Sequence, residues 1–359
     1  MGEERKLVMH RFMLFVLTLV ASLIAGCIAA PAYEGEESAR FDGKYFKNTV
    51  PMSKSVGDLL RLAWGTLTQA EDWPNWIDVG QGQVPEERVW SGMAVTYVNH
   101  STFLIQVDGF NILTDPIYSE RASPFQWAGP KRVHVPGIAL EDLPPIDVIL
   151  ISHNHYDHLD EASLRALLGR SSAAAPMLLS GLGNKQLLAS LGASRVRELD
   201  WEEGVELGGI DFVFTEGRHR SGRGLSDQMK TLWGSFVIKT SEGNIYFAGD
   251  TGYGGHFAEA GERHGPFALS LLPIGAYAPR WFMKDVHLNP EEAVKAHQQL
   301  ESELSIGIHF GTFQLTYEAI DQPLIDLSSA KGAHELLDKE FVVMKPGETL
   351  GIVSAPKAM

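Results

Sequence analysis

From Met93 onward the apolar residues fall into short β-type runs, Ala94 to Val98, Phe103 to Val107 and Asn111 to Thr114, with the turn Asp108-Gly109 between the last two. That rhythm predicts an antiparallel meander. Further apolar runs at Ile146–Ser152, Pro176–Leu179, Phe212–Phe214, Leu232–Ile238, Asn244–Ala248, Ala268–Pro273 and Ser305–His309 alternate with helical patterns at Glu161–Leu168, Lys185–Leu191 and Pro290–Leu300. Strands and helices in alternation predict α/β layering. The last helix is the best signalled, with Asn289 as N-cap, Pro290 at its first position and Glu291 and Glu292 in its first turn. No internal repeat or low-complexity tract is evident.

The chain before Met93 has another texture. Phe12 to Ile24 is an apolar stretch behind Arg5, Lys6 and Arg11, the layout of a secretory signal and too short to span a bilayer comfortably. It ends in Leu23-Ile24-Ala25-Gly26-Cys27, which resembles a bacterial lipobox; residues 1–27 are then a lipoprotein-type signal peptide and Cys27 the lipidated anchor. An uncleaved anchor or an ordinary signal peptide is the alternative. Either way the expected location is the cell envelope, outside the cytoplasm. Residues 28–45, with Glu34, Glu36 and Glu37, read as a polar tether, and residues 46–90, with the helical pattern Val56–Leu67 and Trp64, Trp73 and Trp76, as a brace or lid packed on a core formed by residues 91–359.

Composition narrows the chemistry. Hydrophobic residues at 44% supply a sizeable core, and a net charge of −15 disfavours nucleic-acid backbone as a bulk partner. Cys27 is the only cysteine, so no disulfide forms within the chain and no thiolate serves a metal in the folded part. Any metal must sit on His, Asp or Glu.

Those residues cluster in one place. Ile151-Ser152-His153-Asn154-His155-Tyr156-Asp157-His158 puts four potential ligands within six residues, directly after a buried strand pattern. Alternate residues His153 and His155 can face one cation while Asp157 and His158, past the bend, face another, and imidazole with carboxylate suits zinc. Three more candidates follow β-type runs: His219, Asp250 and His309. A carboxylate such as Asp250 can lie between two cations and offset their repulsion, and such a pair supplies a nucleophilic hydroxide at neutral pH. Arg218, Arg220, Arg223 and Lys230 surround His219 in an otherwise acidic chain, so this loop can bind a phosphate, Arg220 and Arg223 foremost. Tyr253 stands close enough to Asp250 in sequence to donate a hydrogen bond into the site, or else simply packs. Lys131 and Arg132 read as structural pairs.

The run His153-x-His155-x-Asp157-His158 resembles the signature of the metallo-β-lactamase superfamily. Tyr97-Val98-Asn99-His100-Ser101-Thr102-Phe103, Thr114-Asp115-Pro116, Gly129-Pro130-Lys131-Arg132, Leu232-Trp233-Gly234, Gly249-Asp250-Thr251-Gly252-Tyr253 and His309-Phe310-Gly311-Thr312-Phe313 resemble, within it, the branch of N-acyl-phosphatidylethanolamine-hydrolysing phospholipase D. The resemblance covers about residues 85–350. It implies a four-layer αββα sandwich with two zinc ions, one on His153, His155 and His219, the other on Asp157, His158 and His309, with Asp250 bridging. It also implies that His287 stands near the scissile group and that the reaction is hydrolysis of a phosphate ester, with a lipid or small-molecule substrate; Asp157 or Asp250 is then expected to accept the nucleophile's proton. Lactone or other acyl hydrolysis on the same centre, and a lipid-anchored envelope protein with a structural metal, are the competing expectations.

Overall fold

The computed structural model describes residues 29–52, 54–170 and 175–352, and its strands form two seven-stranded sheets. The signal peptide and Cys27 lie outside the described residues. Among the described residues no helix is long and apolar enough to cross a membrane.

The first sheet opens with the expected meander, β1 (Met93–Asn99), β2 (Thr102–Val107) and β3 (Phe110–Thr114), paired antiparallel. It continues in parallel through β4 (Val148–Ile151), β5 (Met177–Gly181) and β6 (Val196–Leu199), with helices α2 (Glu161–Leu168) and α3 (Lys185–Ser190) as crossovers. The second sheet repeats this plan. An antiparallel series, β7 (Glu203–Leu207), β8 (Ile210–Thr215), β9 (Ser235–Thr240) and β10 (Gly243–Phe247), leads into parallel β11 (Phe267–Pro273), β12 (Ser305–Ile308) and β13 (Phe341–Val342). Its helices are α4 (His256–His264), α5 (Arg280–Met283), α6 (Pro290–Gln299) and α7 (Gln322–Ala333). The final strand, β14 (Thr349–Ile352), returns to pair with β1 and fastens the C-terminal end to the first sheet. So the architecture is duplicated although no repeat is legible in the residues.

Side chains alternate across each strand, and both faces are covered. In β2, Phe103 and Ile105 enter the core between the sheets, against Phe212, Phe236 and Phe247, while Leu104 turns to the outer layer beneath α2 and α3 with Ile149, Leu164 and Leu188. On the far side, Tyr246 and Leu272 meet Phe257, Val294 and Leu327 of α4, α6 and α7. This is the αββα sandwich.

The N-terminal segment differs from its expectation. Phe41 and Phe46 are buried in the inter-sheet core and Tyr33 packs on them, so most of the span read as a tether is a strap laid on the protein. Its glutamates face water and mask three aromatic anchors in the sequence pattern. The brace is fastened along its length: Asn48 exchanges hydrogen bonds with the His219 backbone, Lys54 pairs with Asp285, Trp73 donates to the Glu318 carbonyl, Ile77 and Gly82 donate backbone hydrogen bonds to Val133 and Gly137, and Arg88 pairs with Asp147. Its helix α1 (Val56–Thr68), closed by a Ser55–Asp58 capping box, leaves Trp64 exposed, as is Trp76.

Candidate metal centre

Six strand ends, three from each sheet, converge on one site. His100, Asp115 and His153 follow β1, β3 and β4; His219, Asp250 and His309 follow β8, β10 and β12. His100, Asp115 and His309 have φ of 51°, 32° and 59°, so the backbone turns into the left-handed region directly at the strand end. The edges of the two sheets are tied there, His309 N donating to His100 O and Gly234 N to Ser152 O.

Two nitrogen and oxygen clusters result. In the first, His153 Nε2 lies 2.7 Å from His155 Nδ1, and His219 Nε2 lies 3.3 Å from the same atom. In the second, Asp157 Oδ2 lies 3.3 Å from His158 Nε2 and 3.2 Å from His309 Nε2. Asp250 sits between them. Its Oδ2 is 3.9 Å from His153 Nε2, 3.7 Å from His219 Nε2 and 3.2 Å from His158 Nε2, and its Oδ1 is 3.1 Å from His309 Nε2. The structure thus brings together all seven residues singled out as metal ligands.

The outer hydrogen bonds fix which nitrogen faces inward. His158 Nδ1 is 2.6 Å from Asp115 Oδ2, His219 Nδ1 is 2.8 Å from the Val286 carbonyl, and His153 Nδ1 is 3.0 Å from Ser152 Oγ, whose hydroxyl donates to Asp115. With Nδ1 as the donor in each, the Nε2 lone pairs point into the site. Burial, joined by neighbouring positive charge, holds His153, His155 and His219 well below their ordinary pKa, so these imidazoles are neutral and basic towards a cation. For His158 and His309 burial acts against charge, but Asp250 and Asp157 outweigh it, raising His158 well above its usual value and His309 to about 9. Burial also resists ionisation of Asp157 and Asp250, yet the surrounding histidines hold both carboxyls well below the usual range. These carboxylates demand positive charge at the centre. Buried Asp250 Oδ1 and His158 Nε2 lie close to ligand atoms of the other residues but not in hydrogen-bonding alignment, and divalent cations ligated there would satisfy both the charge and these atoms. A donor set of five imidazoles and two carboxylates suits zinc or a neighbouring transition metal.

Neighbours divide into those that reach the centre and those that do not. His287 Nδ1 is 3.9 Å from Asp250 Oδ2 and has no partner among the described residues; burial, against the pull of Asp250, lowers its pKa to about 4. Arg220 is exposed at the rim, and its charge is felt at His155, His219 and His287. Arg223 is placed otherwise than expected for a phosphate ligand. Its Nη1 donates to Asn154 O and Leu159 O, its Nη2 pairs with Glu161, and the guanidinium covers Tyr156 at 3.9 Å, so it clamps the ligand loop. Tyr253 stacks on Phe257 within the α4 layer, the packing alternative to a hydrogen bond into the site. Arg218 is taken up by Asp285 at 2.9 Å, and Lys131 pairs with Glu120.

Two further residues complete the centre. Asp115 orients His158, and His100 Nε2 lies 3.1 Å from Asp157 Oδ2. Their signal was their place immediately after apolar runs, the same signal that exposed His219 and His309.

Residues 110–310 match the family model described as "Beta-lactamase superfamily domain". The chain belongs to the β-lactamase superfamily. An uncharacterized protein of Mycobacterium tuberculosis is 42% identical over 67% of this chain and 64% of its own length, so the chain spans less than two thirds of that relative. The N-acyl-phosphatidylethanolamine-hydrolyzing phospholipase D 1 of Caenorhabditis elegans is 38% identical over 72% of this chain and 75% of its own. Among solved structures, the metallo hydrolase Igni18 from Ignicoccus hospitalis aligns with TM-score 0.53 and 22% identity over 73% of this chain and 99% of its own, a likeness of fold. Superfamily membership and the clustered His and Asp side chains mark this as a candidate metal centre.

Proposed function

We propose that this superfamily member is a binuclear zinc-dependent phosphodiesterase of phospholipase D type, acting on N-acyl-phosphatidylethanolamine-like or related phosphate esters. The observation that carries the reading is Asp250, one carboxylate within 4 Å of ligand nitrogens from both clusters. When bound, two such cations would supply a nucleophilic hydroxide at neutral pH and would offset the charge that gathers on phosphate oxygens. His153, His155 and His219 would hold one, Asp157, His158 and His309 the other, with Asp250 between.

The chain's own groups supply the rest. Asp157 and Asp250, ionised and buried, can take the proton of the attacking water. Neutral His287, its free Nδ1 directed at the centre, is placed to hydrogen-bond the phosphate or the departing alcohol. Arg220 is the basic side chain of the loop whose charge the active-site imidazoles feel, and it is not spent on a carboxylate among the described residues, which suits an anionic headgroup. The named activity of the C. elegans relative supports a lipid phosphodiester. Acyl hydrolysis on the same centre is the competing reading; a purely structural metal fits less well, because closed structural sites are usually thiolate-rich.

The test is a substrate panel of N-acyl-phosphatidylethanolamine, simple phosphodiesters, lactones and a β-lactam, with Asp250→Asn as control. Release of phosphatidic acid, lost by at least about 10³-fold in the variant while its fold is retained, is the expected result. Turnover of carbonyl substrates alone would move the assignment to acyl hydrolysis.

A further inference from the structure

We infer that Asn48, at the end of the N-terminal strap, is a positioning residue of the metal centre: it grips the main chain of His219 and so sets how tightly His153, His155 and His219 hold a cation. Its side chain meets His219 on both sides. Nδ2 donates to the His219 carbonyl at 2.8 Å, and the His219 N–H donates to Oδ1 at 3.1 Å. A side-chain amide placed in this way exchanges two hydrogen bonds with one residue, as a neighbouring antiparallel strand would. Asn48 touches no reacting atom and works through a ligand 171 residues away in the chain.

His219 needs this support from outside. It stands near the start of residues 216–234, which join β8 to β9 without helix or strand, so no ladder fixes its N–H and carbonyl. Other contacts restrain its surroundings. The ring is directed by the hydrogen bond of Nδ1 with the Val286 carbonyl, and the preceding residue is tied by Arg218 N to Thr251 Oγ1 and by Gly252 N to Arg218 O, each at 2.8 Å. Asn48 adds the restraint on the ligand's own main chain. Zn–N bonds of about 2.0–2.1 Å leave little room for that chain to drift.

The grip is made from a fixed point of the fold. Asn48 follows Phe46 by two residues, and Phe46 and Phe41 are buried in the inter-sheet core. The same strap fastens the far end of the His219 segment: Phe46 N donates to Met229 O at 2.7 Å, Tyr33 N to Lys230 O at 3.1 Å and Ala30 N to Asp227 Oδ2 at 2.6 Å. Just beyond Asn48, Lys54 pairs at 2.9 Å with Asp285, the neighbour of Val286. The strap precedes residues 110–310, so a restraint on a metal ligand comes from outside the span matched to the family model. The effect on one of two cations rests on the reading proposed above; the grip on His219 does not.

The test uses the full-length chain in detergent with three substitutions. Asn48→Ala removes both bonds, Asn48→Asp keeps an acceptor for the His219 N–H but sets an oxygen against its carbonyl, and Lys47→Ala is the control, since Lys47 pairs with Asp42 inside the strap. Zinc is titrated against a chelating competitor, the two ions are told apart by the ring resonances of His219 and His309, and protection of the His219 N–H is read by hydrogen–deuterium exchange. In Asn48→Ala the ion reported by His219 should bind about tenfold more weakly, the ion reported by His309 as before, and the His219 N–H should exchange faster. Asn48→Asp should follow it, and Lys47→Ala should match the unsubstituted protein. Equal weakening of both ions with a lowered melting temperature of the metal-free protein overturns the positioning role in favour of general stability, and unchanged affinity and exchange overturn it outright. A single zinc per unsubstituted chain defeats the two-cation reading instead, and the grip is then decided by the affinity for that ion together with exchange at His219.

Discussion

His158 is held from both sides. Its Nε2 faces Asp157 and Asp250, and its Nδ1 is engaged by Asp115, whose other oxygen accepts from Ser152 N at 2.8 Å. Asp115→Asn keeps the shape but can offer an N–H where an acceptor is needed. Zinc affinity, measured by competition with a chelator, should fall about 10–100-fold, and an unchanged affinity would remove Asp115 from the tautomer argument. His256 gives a separate pH signature. Burial, aided by Arg218, lowers its pKa to about 3, and Nε2 is 3.1 Å from Thr251 Oγ1. In the unfolded chain it titrates near 6.5, so its contribution is present above that pH and is lost as pH falls towards 3. Melting temperatures of the protein and of His256→Gln should converge as pH drops from about 7.5 to 5, and parallel curves would contradict this. At this scale the sequence was most legible where ligands are neighbours, His153 to His158, and least where a role depends on contacts made elsewhere. Arg223 and Tyr253 stood near the right residues, but Glu161 and Phe257, which engage them, are contacts that only folding creates.

Strand ends are the elements that build the centre, and the turn after β10 shows how closely they approach. Gly249 has φ of 57°, and a Cβ there would lie 2.4 Å from Ser152 Cβ. Gly249→Ala must therefore displace either Asp250 or the loop carrying His153. The expected outcome is loss of tight metal binding by metal analysis after desalting, with far-ultraviolet circular dichroism retained; full metal content would show that the turn adapts. The core strands were readable because both faces are apolar. Edge strands β6 and β7 were not, since Arg197, Glu203 and Glu206 face water and leave little apolar rhythm. Helix α7 escaped too, as its apolar residues do not segregate to one face.

Across the whole molecule, two sheets of like plan pack face to face, and each gives three strand ends to the site. Sequence alone named the sandwich through its motif, while the duplication stayed hidden because it is one of topology, with different side chains in each half. The exposure of Trp64 on α1 was hidden for a related reason: an apolar helical pattern predicts burial, and only the packed structure shows which side faces out. The central claim is attack of water oxygen on phosphorus. Its most direct test is hydrolysis of N-acyl-phosphatidylethanolamine by the zinc-loaded protein in ¹⁸O-enriched water, followed by mass analysis of the products. One ¹⁸O is expected in the phosphate of the released phosphatidic acid; label in a fatty-acid carboxylate, with none in phosphate, would exclude attack on phosphorus.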